Sequence, residues 1–206
     1  MGGIFITLEG CDGSGKTTQV DLLKKRLKEL EIPCLVTREP GGTPISEKVR
    51  SIILDEQNNS MVWRTEALLY AASRAQLIGE NIVPSLNNGI HVICDRYVDS
   101  TLAYQGYGRG LNIDDLIAIN DFATSGLKPH LTILLDIKPE EAIQRFSRRK
   151  TDRLEKEKLE FHQRVREGYL QIAKKEPDRF KIINALESIK EVHEEILNKV
   201  LSTLIN

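Results

Sequence analysis

The sequence predicts an α/β fold: a five-stranded parallel sheet covered by helices on both faces, in three α/β/α layers, as a single domain over residues 1–206. Three observations predict it. Apolar runs recur at residues 4–8, 34–37, 91–94, 131–135 and 180–183; each is short and nearly continuous, as strands buried on both faces require. Between them, apolar residues repeat every three or four positions, which places them on one side of a helix. Strand and helix alternate along the chain, which implies an open, doubly wound sheet. Ligands gather at the carboxyl ends of the strands in such a sheet, so the residues that follow each strand carry the interest.

The first strand leads into Gly10-Cys11-Asp12-Gly13-Ser14-Gly15-Lys16-Thr17, followed by a helical stripe of Val20, Leu23, Leu27 and Leu30. The eight residues match GxxxxGK[ST] between a strand and a helix, the setting that a P-loop requires. They predict a P-loop NTPase fold that holds a nucleotide such as ATP. Gly10, Gly13 and Gly15 let the backbone curl so that its N–H groups, with those of Ser14 and Thr18, point at phosphate oxygens. The helix adds the positive end of its dipole. Lys16 should reach the β- and γ-phosphates and Thr17 should ligate Mg²⁺. A glycine-rich turn matched by chance is the plainer reading, which the flanking strand and helix disfavour. Asp12 is unusual here, because a carboxylate repels a triphosphate. Either it is a solvated turn residue or it needs Mg²⁺ or a substrate hydroxyl as compensation.

The second strand ends in Arg38-Glu39-Pro40-Gly41-Gly42 and the third in Asp95-Arg96-Tyr97. Each puts an arginine and a carboxylate at the mouth of the sheet. The guanidinium fork suits phosphate oxygens, and Asp95 stands where a strand-end carboxylate holds the Mg²⁺ shell. Surface ion pairs are the ordinary alternative, weakened by finding two such pairs on a P-loop chain. Residues 65–86 read as helix, as do 155–175, and Ile189, Val192, Ile196, Val200 and Leu204 form a last stripe. Between Arg145 and Glu155 lie Arg148, Arg149, Lys150 and Arg153, dense positive charge in a near-neutral chain. The P-loop has no cation at positions 11–14. A lid over residues 145–155 that brings arginines to the phosphates is therefore set against a solvated helix face.

Three stretches resemble bacterial thymidylate kinases: residues 9–19, residues 38–43, and Asp95-Arg96-Tyr97-Val98-Asp99-Ser100-Thr101-Leu102-Ala103-Tyr104-Gln105-Gly106, the most specific of them. The likeness runs in order through Pro129 to Asp136 and Asp152-Arg153-Leu154-Glu155. It implies transfer of the ATP γ-phosphoryl to thymidine monophosphate, in a nucleoside monophosphate kinase with the lid-arginine arrangement. By the same resemblance Arg38, Arg50 and Arg96 hold the acceptor phosphate. Arg74 hydrogen-bonds the thymine ring, on which Tyr70 stacks, with Thr101 and Gln105 near the base. Position 70 is usually Phe in the family. Tyr104 lies under the deoxyribose, and Asp12 and Glu39 lie near the 3′-hydroxyl. Arg149 and Arg153 contact the phosphates, Arg145 packs near adenine, and backbone around Asn184 and Ala185 reads it. Homodimers formed through helices are implied as well, with Leu68, Leu69, Ala72 and Ile78 as interface candidates that core packing explains equally well.

Composition narrows the field. Lys plus Arg number 29 against 30 Asp plus Glu, a formal net charge of −1, which offers no general attraction to nucleic acid or a membrane surface. No apolar run is long enough to span a bilayer, and the opening residues lack a signal-peptide pattern. Cys11, Cys34 and Cys94 are odd in number and far apart, which reads as reduced thiols and a cytoplasmic protein. Three alternatives stay open: a kinase of another nucleotide or of a deoxynucleoside, a GTP-hydrolysing switch, and a nucleotide-binding scaffold. The three arginines argue for a phosphorylated acceptor. The chain has no Asn-Lys-x-Asp run to read guanine, and an intact Lys16, Thr17 and Asp95 argue against a scaffold.

Overall fold

The computed structural model describes residues 2–146 and 152–205. Five parallel strands, β1 (Phe5–Glu9), β2 (Cys34–Arg38), β3 (His91–Asp95), β4 (Leu131–Asp136) and β5 (Phe180–Asn184), form one sheet in the order β2-β3-β1-β4-β5. Ile6 stands level with Ile93 on one side and Leu131 on the other, so the P-loop strand is central. The first crossover passes over β3 in one direction and later ones run in the other. The crevice beside the end of β1 is thus the switch point at which such sheets bind ligands.

Helices α1 (Lys16–Glu29) and α9 (Ile189–Ile205) cover one face. Leu23, Leu27, Ile196 and Val200 pack there on Ile6, Leu8, Ile133 and Ile183. The other face is shared. One half takes α3 (Trp63–Leu77) and α4 (Val83–Asn87), whose Leu77 and Leu86 meet Phe5 and Val92. The other half takes α8 (Leu159–Lys175), whose Phe161, Val165 and Tyr169 meet Leu134 and Phe180. Burying each such side chain contributes about 1.5–3 kcal/mol. The remaining helices are α2 (Pro44–Leu54), α5 (Val98–Thr101), α6 (Ile113–Thr124) and α7 (Pro139–Phe146). Thr43 caps α2 by accepting from the Ser46 N–H, ahead of Pro44 at the first helical turn, where a missing N–H costs nothing.

The five strands stand where the apolar runs predict them. Two helical expectations change. Residues 65–86 form α3 and α4 joined by a π turn at Ile78–Ile82, with Pro84, which has no N–H to donate, at the start of α4. Residues 155–158 are not helical: the Asp152 carboxylate accepts from the N–H groups of Leu154 and Glu155 at 2.9 Å each, a side-chain turn that competes with helix. Of the thiols, Cys11 and Cys94 are buried, Cys34 is half-buried, and none is in a disulfide.

Candidate active site

The P-loop is shaped by its glycines. Gly10, Gly13 and Gly15 all take positive φ, and a Cβ at Gly10 would lie 2.6 Å from the Leu135 carbonyl oxygen. No side chain caps the start of α1, so its first N–H groups are free for an anion. Lys16 is buried and folds back, donating from Nζ to the carbonyls of Gly10 and Cys11 at 2.9 Å each. Burial, with Arg96 close by, pulls its pKa down. Thr17 Oγ1 donates to Asp95 Oδ2 at 3.2 Å. Among the described residues, Asp95 Oδ1 is buried with no hydrogen-bond partner. That orphaned oxygen beside a hydroxyl fits a hard divalent cation. Among the described residues, no group of three or more His, Cys, Asp or Glu could hold a metal ion. A hydroxyl and a carboxylate are oxygen donors of the kind Mg²⁺ takes, one or two from protein with the rest from phosphate and water.

Arg96, at φ +72°, follows β3 in a conformation that non-glycine residues rarely adopt. Its Nη2 meets Asp12 Oδ1 at 2.6 Å, and Nη1 donates to the Gly10 carbonyl, Ser100 Oγ and Tyr169 Oη. The Tyr104 hydroxyl donates to Asp12 Oδ2 at 2.7 Å. Burial alone would raise the Asp12 pKa, but Arg96, Lys16 and Tyr104 outweigh it and hold the carboxyl well below the usual carboxylate range. Arg96 thus offers Asp12 a compensating charge from within the chain. Beneath this cluster lies Glu9, fully buried, accepting from the Tyr97 N–H at 2.7 Å, Ser100 Oγ at 2.6 Å and Tyr169 Oη at 2.9 Å. Burial, with Asp99 nearby, raises its pKa to about 7.

Two connected cavities open here. The outer cleft, of about 870 Å³, runs over residues 12–19 to Arg145, Ala185 and Glu187. Arg145 spans it, donating to the Gly13 carbonyl at 3.3 Å and the Ala185 carbonyl at 3.0 Å. Asn184 turns its side chain onto the Leu186 N–H and Glu187. The narrower inner cavity, of about 80 Å³, is lined by Tyr70, Thr101, Tyr104, Gln105 and Leu154 among others. Asp12, Glu39, Arg50, Arg96 and Asp152 face both. Arg38 lines the outer cleft and pairs with Glu47 at 2.9 Å, and Arg50 donates to the Pro40 carbonyl at 2.8 Å.

A family model described as "Thymidylate kinase" matches residues 8–196. The chain belongs to the thymidylate kinase family. A thymidylate kinase of Clostridium novyi is 51% identical over 197 residues, 94% of this chain and 96% of that protein. One from Symbiobacterium thermophilum is 49% identical over 201 residues, covering 98% and 94%. A crystal structure of thymidylate kinase from Ehrlichia chaffeensis superposes with a TM-score of 0.79 at 35% identity, covering 97% of this chain and 99% of that one.

Three residues that the family resemblance places on the nucleotides sit elsewhere here or fall outside the description. Arg74 is buried and lines neither cavity. Partners meet all its nitrogens: Glu39 on Nε and Nη2, Thr101 and Asn120 on Nη1, the Tyr97 carbonyl on Nη2. In this arrangement it ties together residues that line the inner cavity, Glu39 and Thr101. Arg153 also lines neither cavity. It donates to the Ile53 carbonyl and the fully buried Glu66, away from the P-loop. Arg149 lies outside the described residues. Sequence reasoning passed over Glu66, Asn120 and Asp152. Glu66 and Asn120 stand on helices with no motif around them; Asp152, beside Arg153, carries a signal only through the family likeness.

Proposed function

We propose that this chain transfers the γ-phosphoryl of Mg·ATP to thymidine monophosphate, giving thymidine diphosphate and ADP. The supporting observation is the junction at Arg96. One guanidinium stands between an anion cradle and a second cavity, so two phosphate-bearing ligands entering from opposite sides meet there. ATP lies along the outer cleft, with its phosphates on residues 13–18 and its adenine toward Arg145 and Ala185. The acceptor lies in the inner cavity, with its phosphate toward Arg38, Arg50 and Arg96 and its base among Tyr70, Thr101 and Gln105.

The acceptor oxygen is already a nucleophile at neutral pH, so no strong base is needed. The chain's residues align and neutralise. Lys16 exchanges its carbonyl partners for phosphate oxygens, and Arg96, fixed by Asp12 and Tyr104, holds the acceptor in line. Thr17 and Asp95 would hold Mg²⁺, which when bound would neutralise charge developing on the phosphates. Tyr104, whose hydroxyl is tied to Asp12, sets its ring rigidly beneath the sugar. Among the described residues, no helix is long and apolar enough to cross a membrane. The reading is of a cytoplasmic homodimer whose partners are small nucleotides rather than nucleic acid.

A panel of nucleoside monophosphates incubated with ATP, read as diphosphate product, tests it. Thymidine monophosphate should give the highest kcat/KM. Equal or better use of uridine or cytidine monophosphate would sink the assignment.

A further inference from the structure

Glu66 is fully buried on α3, outside both cavities. Its Oε1 accepts from Gln105 Nε2 at 2.9 Å and Arg109 Nε at 3.3 Å, and its Oε2 accepts from Arg153 Nη2 and from Arg109 Nη2 at 3.3 Å. These partners belong to two separated stretches of chain, and both stretches wall the inner cavity. Tyr104 and Gln105 stand on the π turn Leu102–Gly108, and Asp152 and Leu154 flank Arg153. Tyr70, one turn along α3 from Glu66, adds a third wall. Arg153 also donates from Nε to the Ile53 carbonyl at 3.1 Å, next to Leu54, which lines a fourth wall. Arginine's fork bonded to a buried carboxylate fixes distance and angle together. Apolar packing between the same segments would tolerate slip.

We propose that Glu66 is a positioning residue that sets the spacing of the acceptor pocket's walls, and that Arg153 acts through it rather than on the transferring phosphoryl. This rests on the inner cavity being the acceptor site. Four observations converge on it: complete burial, two arginines shared on one carboxylate, direct contact with the lining residue Gln105, and a tie through Arg153 to the stretch that supplies Asp152 and Leu154. A carboxylate needed only to hold helices together would not have to select cavity walls as its partners.

Wild type, Glu66→Gln, Arg153→Met and the double variant are compared by steady-state kinetics with each substrate varied separately. Calorimetric binding of thymidine monophosphate without ATP, and thermal melts, accompany them. Each single change should raise KM and Kd for thymidine monophosphate roughly tenfold, with KM for ATP within about twofold. The double variant should do little worse than the worse single one, because both remove one linkage. A fall in kcat in Arg153→Met with unchanged acceptor Kd would place Arg153 on the phosphoryl and overturn the inference. Lower melting temperatures with unchanged Kd would reduce Glu66 to a structural role and overturn it too. Should Glu66→Gln not fold, Arg153→Met decides alone, since Arg109 still pairs with Glu66. A wild type that does not favour thymidine monophosphate in the substrate panel refutes the functional reading instead, before any variant is made.

Discussion

At the residue scale, neighbours override intrinsic chemistry. Asp12 is half-buried and Glu9, three residues earlier, fully buried, yet the two carboxylates shift in opposite directions. Asp12 faces Arg96 and Lys16 and stays charged. Glu9 faces Asp99 as well as Arg96, and burial dominates, which raises it to about 7. A raised folded-state pKa means that the folded protein binds the Glu9 proton more tightly than the unfolded chain does. That contribution to stability is complete below the ordinary glutamate value of 4.5 and is lost as pH rises through about 7. Wild type should therefore lose stability across this window, while Glu9→Gln should lack that part of the slope. Denaturant midpoints measured from pH 4.5 to 8 check it, and parallel curves for the two proteins would contradict the assignment. Neither carboxylate's state was legible in sequence, because Arg96, which holds Asp12, and Tyr97, whose N–H meets Glu9, come from 84 or more positions away.

At the element scale, α3 shows how a helix can serve a site that it barely touches. Its sequence reads as a helix, and it is one over Trp63–Leu77. Which of its faces meets solvent, core or ligand depends on what packs against it. Arg74 reads as a solvated charge or a base contact, yet it lies 1% exposed and clamps Glu39, Thr101, Asn120 and Tyr97 together. Arg74→Met leaves Glu39 buried without its cation, so it should cost about 3–5 kcal/mol of stability, read by chemical denaturation. A loss below roughly 1 kcal/mol, or unchanged stability with impaired use of thymidine monophosphate alone, would return Arg74 to direct base contact. The same logic explains the turn after residue 151. The charge run there suggests a lid, but Arg153 at its end is tied inward to Glu66.

At the scale of the whole molecule, the strand order decides where chemistry happens. Because β1 is central, the P-loop, the Arg96 turn after β3 and the Glu39 turn after β2 open into one crevice. The outer surface holds a second prospect. Leu68 is 54% exposed on α3 and Phe122 91% exposed on α6, and Ala72 is exposed as well. Ile78, named from sequence as a fourth interface candidate with Leu69, belongs instead to the core under β3. Sedimentation equilibrium should find the wild type dimeric at micromolar concentration and Leu68→Asp shifted to monomer with its melting behaviour little changed, since an exposed substitution costs about 0.5 kcal/mol or less. A monomeric wild type would remove the dimer from the account.

By itself the sequence determined the strands, the helical stripes, the P-loop and the family likeness. Each is written in residues close together in the chain, where hydrophobic period and local backbone geometry suffice. The tertiary structure alone decided which arginines face the cavities and which are consumed by buried carboxylates. Arg96 and Arg153 look alike in sequence, one beside Asp95 and the other beside Asp152. Only the folded chain brings Asp12 to the first and Glu66 to the second, and an ionic group's role is set by the charge that meets it once water is excluded.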